Sequence, residues 1–262
     1  MSKPHPLLGA LRREMKRAGD PERAAGQQAY MKSAMPYHGL RNSETRAICR
    51  KVFADYTIDP GDGARWRADV LAIWHGADHR EERYAAIELA QLRKARVLHT
   101  MDALPMFEEL VVTGAWWDYV DTIASHDLGQ ILRNEPKAMR RAMLAWSKCD
   151  DMWKRRSSIL CQLQFDAETD LELLYACIEP SISSKEFFLR KAIGWALRQL
   201  AWTDPSEVES YVRANEPRLS GLSIREALKN IGGPGPRGAS RARDDSAEVT
   251  SSRARGAKRR SA

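Results

Sequence analysis

The sequence predicts an all-α chain, and three observations predict it. Helix-start punctuation is frequent, strand signals are missing, and the chain repeats on itself with a helical-hairpin period. No run of alternating β-branched residues is bounded by hairpin turns. A small residue followed by isoleucine recurs in amphipathic stretches at Ile48, Ile87, Ile123, Ile159 and Ile193, at intervals of 39, 36, 36 and 34 residues. That period suits a helix–turn–helix repeat. The spaced Trp, Gly and Tyr of tetratricopeptide repeats are lacking, so the expected fold is a HEAT-like solenoid of about a dozen helices with a concave groove.

The elements follow in chain order. "DPER" (Asp20–Arg23) places Asp at an N-cap and Pro at the first helical position. "TRAICRKV", "YAAIELAQL", "VDTIASHD" and "RSSILCQL" carry the first four repeat isoleucines. "SSKE" (Ser183–Glu186) reads as a capping box before "RKAIGWAL", which carries the fifth. "DPSEV" (Asp204–Val208) repeats the Asp-Pro start, and "SIRE" (Ser223–Glu226) reads as a second capping box. From Gly232 onward large apolar residues almost vanish, and disorder is expected. The division is therefore a repeat domain over 1–231 and a basic tail over 232–262.

Composition narrows the function classes. Hydrophobic residues make up 43% and charged residues 29% of 262, as in a soluble globular body. The longest apolar runs, such as that around Glu172–Ile178, fall short of the roughly 18–20 residues of a membrane span. The N-terminus lacks the apolar core of a signal peptide. Cys49, Cys149, Cys161 and Cys177 form no C-x-x-C pair, so reduced thiols and a cytoplasmic location (at the nucleoid in a bacterium) are expected. The net charge of +7 is uneven: eight basic residues against three acids from Gly232 give the tail +5 and leave the body +2. Any nucleic-acid reading of the body must rest on where its charges sit.

Helical phase locates them. With each repeat isoleucine at 0° and about 100° per residue, Asp121 falls near 160°, Trp117 near 120° and Trp195 near 200°. Arg46 and Lys191 fall near 160° and Arg198 near 140°, with Arg156 nearer the core at about 60°. Equivalent helices of stacked repeats line a concave surface. The expectation is a groove walled by cations, with Trp117, Asp121 and Trp195 in its middle. "WWDYVD" (Trp116–Asp121) poses the sharpest question, because two adjacent tryptophans cannot share a face and two acids one turn apart repel.

"WWDYVD", "MWKRRSSILCQLQF" (Met152–Phe165) and "SSKEFFLRKAIGWALRQLAWTDPSEV" (Ser183–Val208) resemble the AlkD-type DNA alkylation-repair glycosylases. The resemblance extends through "QQAYMKSAMPYHGL" (Gln27–Leu40) and "LSIREALKNI" (Leu222–Ile231), and covers roughly residues 5–231. It implies a HEAT-like solenoid that cradles duplex DNA and releases N3- and N7-alkylated purines. By motif position it implies a catalytic Asp121, active-site Trp117 and Trp195, and a DNA-contacting Arg156, with Tyr30 as a further aromatic of the site. A monomer without a cofactor is expected.

Competing chemistries have thin support in the sequence. His75 and His79 have i, i+4 spacing, but no third metal ligand stands in a recognisable relation to them. No G-x-G-x-x-G or P-loop points to a nucleotide cofactor. The chief alternative is a non-catalytic repeat scaffold that binds DNA structure or a protein in its groove.

Overall fold

A computed structural model describes residues 5–231, so the tail from Gly232 lies outside the described residues. The described residues hold fourteen α-helices and no strand beyond an isolated Asp59–Asp62 bridge. The chain opens with α1 (Pro6–Ala18), α2 (Pro21–Met31) and α3 (Asn42–Val52). Next come α4 (Ala64–Gly76), α5 (Arg80–Ala90) and α6 (Leu104–Gly114). A short α7 (Trp117–Thr122) runs through a π turn (Ile123–Leu128) into α8 (Gly129–Asn134), with helical dihedrals at both junctions. After them stand α9 (Pro136–Trp146), α10 (Met152–Leu160), α11 (Leu171–Ile178), α12 (Phe187–Leu200), α13 (Pro205–Asn215) and α14 (Gly221–Ala227). None of these helices is long and apolar enough to cross a membrane.

The isoleucine stripe is the core direction. Ile87, Ile123, Ile159 and Ile193 are buried, and Ile48 is half-buried against the same continuous core. Contacts run between neighbours, as a stacked repeat requires: α4 on α5, α7 on α10, α10 on α12, and α12 on α14. Two glycines set close approaches. A β-carbon on Gly129 would lie 2.7 Å from the Cys161 carbonyl oxygen, and one on Gly194 would lie 2.5 Å from the Glu226 Cβ.

The Asp-Pro starts form as expected. Asp20 accepts from the Arg23 amide at 3.1 Å, and Asp204 from the Glu207 amide at 3.0 Å. Neither expected capping box forms. The helix after Ser183 starts only at Phe187, and Ser184 accepts from the Glu186 amide at 3.2 Å. At α14 the cap is Ser220, whose hydroxyl accepts from the Ser223 amide at 3.0 Å. Ser223 is buried instead, and donates to the Arg190 carbonyl at 2.9 Å, tying α14 to α12. Two serines three apart carry the same cap signal, and tertiary packing takes the second one.

Candidate active site

The adjacent tryptophans separate because the helix starts between them. Ala115 ends α6 in the left-handed region (φ 42°), Trp116 is extended, and Trp117 is the first residue of α7. Trp116 turns toward α10 and α12, with ring centroids 6.2 Å from Trp153 and 5.5 Å from Phe188. Trp117 stays half-buried, one helical turn before Asp121.

The two acids are tolerated because each has its own arginine. Asp118 accepts from Nη2 of Arg80 at 2.7 and 2.6 Å, and from the Tyr84 hydroxyl at 2.5 Å. Asp121, 8% exposed, takes a two-pronged contact from Arg156, with Nε–Oδ1 at 2.6 Å and Nη2–Oδ2 at 2.7 Å. Nη1 of Arg156 donates to the Phe188 carbonyl. One guanidinium thus joins α7 to the first turn of α12, the helix that carries Trp195. Burial pushes the Asp121 carboxyl above the ordinary aspartate range. The Arg156 charge and hydrogen bonds pull it back only in part, and the neighbouring Asp118 adds to the rise.

The expected cation wall is largely paired with acids. Arg46 meets Glu88 at 3.0 Å, and Lys191 and Arg198 both meet Glu226 at 2.9 Å. Burial works to raise the Glu226 carboxyl, and the two cations outweigh it and hold it below its ordinary range. Arg156, expected on the phosphate side, is itself 4% exposed and already engaged. Tyr30 stands 55% exposed on α2. Trp195 is half-buried on α12 and packs against the core, as Trp117 does.

The histidines do not pair as their spacing suggested. His75 meets Glu109 at 2.7 Å, whereas His79 stacks on His38 at 3.8 Å with 12° between the rings. His38, His79 and Glu82 offer three atoms within 4.8 Å of one another. Stacked rings hold their lone pairs in parallel planes, which do not converge on one ion. Both Glu82 oxygens also accept from Arg12, at 2.9 and 2.8 Å. The cluster is a tie between α1, the chain around His38 and α5.

Sequence reasoning missed Arg80, Tyr84 and the carboxylate tie at Glu82. A usable signal was present. Arg80 and Asp118 are 38 residues apart, and Asp121 and Arg156 are 35 apart, each close to one repeat. Residues one repeat apart sit on neighbouring helices, so an acid and an arginine at that spacing are candidate partners.

The arrangement holds a fixed carboxylate one helical turn from a half-buried tryptophan, with a guanidinium as the cation it faces. The family model described as DNA alkylation repair enzyme matches residues 11–231. Among solved structures, the chain is similar to a predicted DNA alkylation repair enzyme from Enterococcus faecalis. The TM-score is 0.72 at 27% identity, covering 82% of this chain and 98% of that one. No curated protein matches the chain.

Proposed function

The chain belongs to the DNA alkylation repair enzyme family, and from that premise we propose that it is a glycosylase for cationic alkylated purines in duplex DNA. The observation that carries this reading is Asp121, a nearly buried carboxylate held at both oxygens, one turn from a half-buried tryptophan. Alkylation at N3 or N7 makes the purine a cation, so the base departs neutral and needs no general acid. The sugar gains oxocarbenium character as the glycosidic bond stretches. A carboxylate beside the anomeric carbon stabilises that charge and orients the attacking water. At about 4 Å and an effective dielectric near 20, one such pair is worth about 4 kcal/mol. Trp117 and Trp195 add cation–π attraction of about 0.5–2 kcal/mol each for the lesion and its sugar.

Arg156 has two parts in this reading. In the free protein its charge and hydrogen bonds oppose the burial that favours the protonated Asp121 carboxyl. In the complex the phosphate flanking the lesion competes for its N–H groups and releases Asp121 toward the sugar. Lys191, Arg198 and Arg46 exchange their glutamates for phosphate at little cost, because partly exposed ion pairs are worth about 0–1 kcal/mol. Tyr30 lies against the duplex.

The test is release of free base from duplexes carrying a single lesion. Excision of 3-methyladenine and 7-methylguanine is expected, with uracil, hypoxanthine and 1,N6-ethenoadenine nearly inert. Comparable rates for uracil and 7-methylguanine would require an acid outside this mechanism. DNA binding with no base released from either cationic lesion would leave the scaffold reading in its place.

A further inference from the structure

We propose that Arg80 is a positioning residue for this site: through Asp118 it holds the first turn of α7, and with it Trp117 and Asp121, in place beside α10. The inference rests on the glycosylase reading only for its kinetic arm.

The geometry is that of a clamp with two jaws. α7 has six residues before the π turn, and its N-cap Trp116 makes no side-chain capping bond. The first turn of a helix has no preceding ladder to bond its amides, so without a cap its direction is set by side-chain contacts. Arg156 grips it from α10 through Asp121, and Arg80 grips it from α5 through Asp118. Trp117 lies at the start of the gripped turn. Removing either jaw leaves the other as a pivot.

Arg80 is built for this role. It is 6% exposed, its guanidinium lies 4.2 Å over the Tyr119 ring, and Tyr37 and Tyr84 lie within 6.0 Å. Its backbone amide donates to the Pro36 carbonyl at 2.9 Å, linking the jaw to the segment that follows Tyr30. Its Nε is buried and has no partner among the described residues. Buried ion pairs of this kind stabilise a fold less than well-packed apolar groups of similar volume. With one donor unmet, this arginine contributes less by stabilising the fold than by fixing the direction of Asp118.

The pair also sets the charge around Asp121. Of the elements packed against α7, α10 supplies Arg156 to Asp121, while α6 and the π turn, whose Asp127 meets His99 and Gln91 and whose His126 meets the Thr122 carbonyl, place no charged group in ion-pair contact with it. Asp118, on α7 itself, is the remaining charge acting on that carboxyl, and Arg80 neutralises it. Losing Arg80 while keeping Asp118 exposes Asp121 to an uncompensated anion.

The experiment compares wild type with Arg80→Met, Arg80→Lys and Asp118→Asn in the full chain. One arm is single-turnover release of 7-methylguanine across pH. Arg80→Met is expected to slow release by roughly tenfold or more, with duplex affinity near wild type and the pH midpoint of the rate moved up. Asp118→Asn is expected to move the midpoint down, because it removes the anion. Arg80→Lys restores the charge but not the flat guanidinium that lies over the Tyr119 ring, so it is expected to recover the midpoint and only part of the rate. The second arm needs no catalysis. In 5-fluorotryptophan-labelled protein, the Trp117 resonance is expected to broaden or split in Arg80→Met and Asp118→Asn, while that of Trp195 stays put. An unchanged Trp117 resonance in both variants overturns the clamp, whether or not the wild type releases base. So does a wild-type rate and midpoint in folded Arg80→Met. Wild type that releases no base, with Trp117 perturbed as expected, defeats the glycosylase reading and leaves the clamp standing.

Discussion

At the scale of single residues, the Asp121–Arg156 pair makes the catalytic test and the stability test inseparable. Asp121→Asn removes the carboxylate and is expected to abolish most excision. It also strands a buried guanidinium, which costs about 3–5 kcal/mol when one partner of such a pair is removed. The single variant should therefore melt well below wild type. Adding Arg156→Met should recover melting temperature without recovering excision, and calorimetry beside single-turnover release separates the two effects. Recovery of both would show that Asp121 is structural. The pH dependence has a definite sign. Because burial raises the carboxyl, excision should fail on acidification at a higher pH than an ordinary aspartate would allow. For stability the sign is opposite to that of a typical paired aspartate. The contribution is fully present below the unfolded value and is lost as pH rises through the folded one. Trp117→Ala and Trp195→Ala should each slow release of 7-methylguanine by about tenfold, if about 1.4 kcal/mol is lost, with folding retained. Unfolding with unchanged rate per folded molecule would assign that tryptophan to the core.

At the scale of elements, the sequence was legible where one signal had one use. The isoleucine stripe marked the core, and Asp20 and Asp204 marked helix starts, because periodicity and Asp-Pro each answer to local geometry. Legibility failed where tertiary partners decide. Phase alone put Arg46, Lys191 and Arg198 on an open wall, but it carries no information about the acids facing them from neighbouring helices. Arg156 was placed nearest the core by phase, and its burial follows from that, yet its partner lies on another helix. The place where α12 meets α14 gives a prediction of its own. Gly194→Ala adds a β-carbon 2.5 Å from the Glu226 Cβ and 2.9 Å from the Ser223 carbonyl oxygen. Overpacking of that kind costs about 1–3 kcal/mol. Denaturant unfolding should show that loss, and pushing α14 away should loosen Glu226 from Lys191 and Arg198. A wild-type midpoint would mean that α14 yields freely.

At the scale of the whole molecule, stability at low pH depends on the N-terminal tie. Burial pushes the Glu82 carboxyl up, and hydrogen bonds from Arg12, His38 and the Asp78 amide outweigh it, holding it down at about 2. Its folded value lies below its ordinary 4.5, so its contribution is present above that ordinary value and is lost as pH falls through about 2. Glu82→Gln should cost about 3 kcal/mol at neutral pH and flatten the acid limb of the stability profile. An unchanged limb would place acid sensitivity elsewhere. The tail is expected to act through charge. Deleting Gly232–Ala262 removes +5, which should weaken non-specific DNA binding and make its salt dependence shallower, since fewer counterions are released. Excision at saturating protein should hardly change, and a large loss of that rate would place the tail at the site.

A π turn is an α-helix with one residue more than its hydrogen-bond ladder needs. Between Asp121 and Gly129 that surplus falls at Ile123–Leu128. Loss of one codon from a regular α-helix turns everything downstream by about 100°, whereas loss of one codon here would close the ladder and leave the downstream facing in place. Asp127 would still point at Gln91 and His99, which it meets at 2.8 and 2.9 Å, and Gly129 would stay beside the Cys161 carbonyl. The helix thus has two halves with separate partners, Asp118 and Asp121 held by Arg80 and Arg156, and Asp127 held by His99 and Gln91. The wide turn between them absorbs a residue without turning either half.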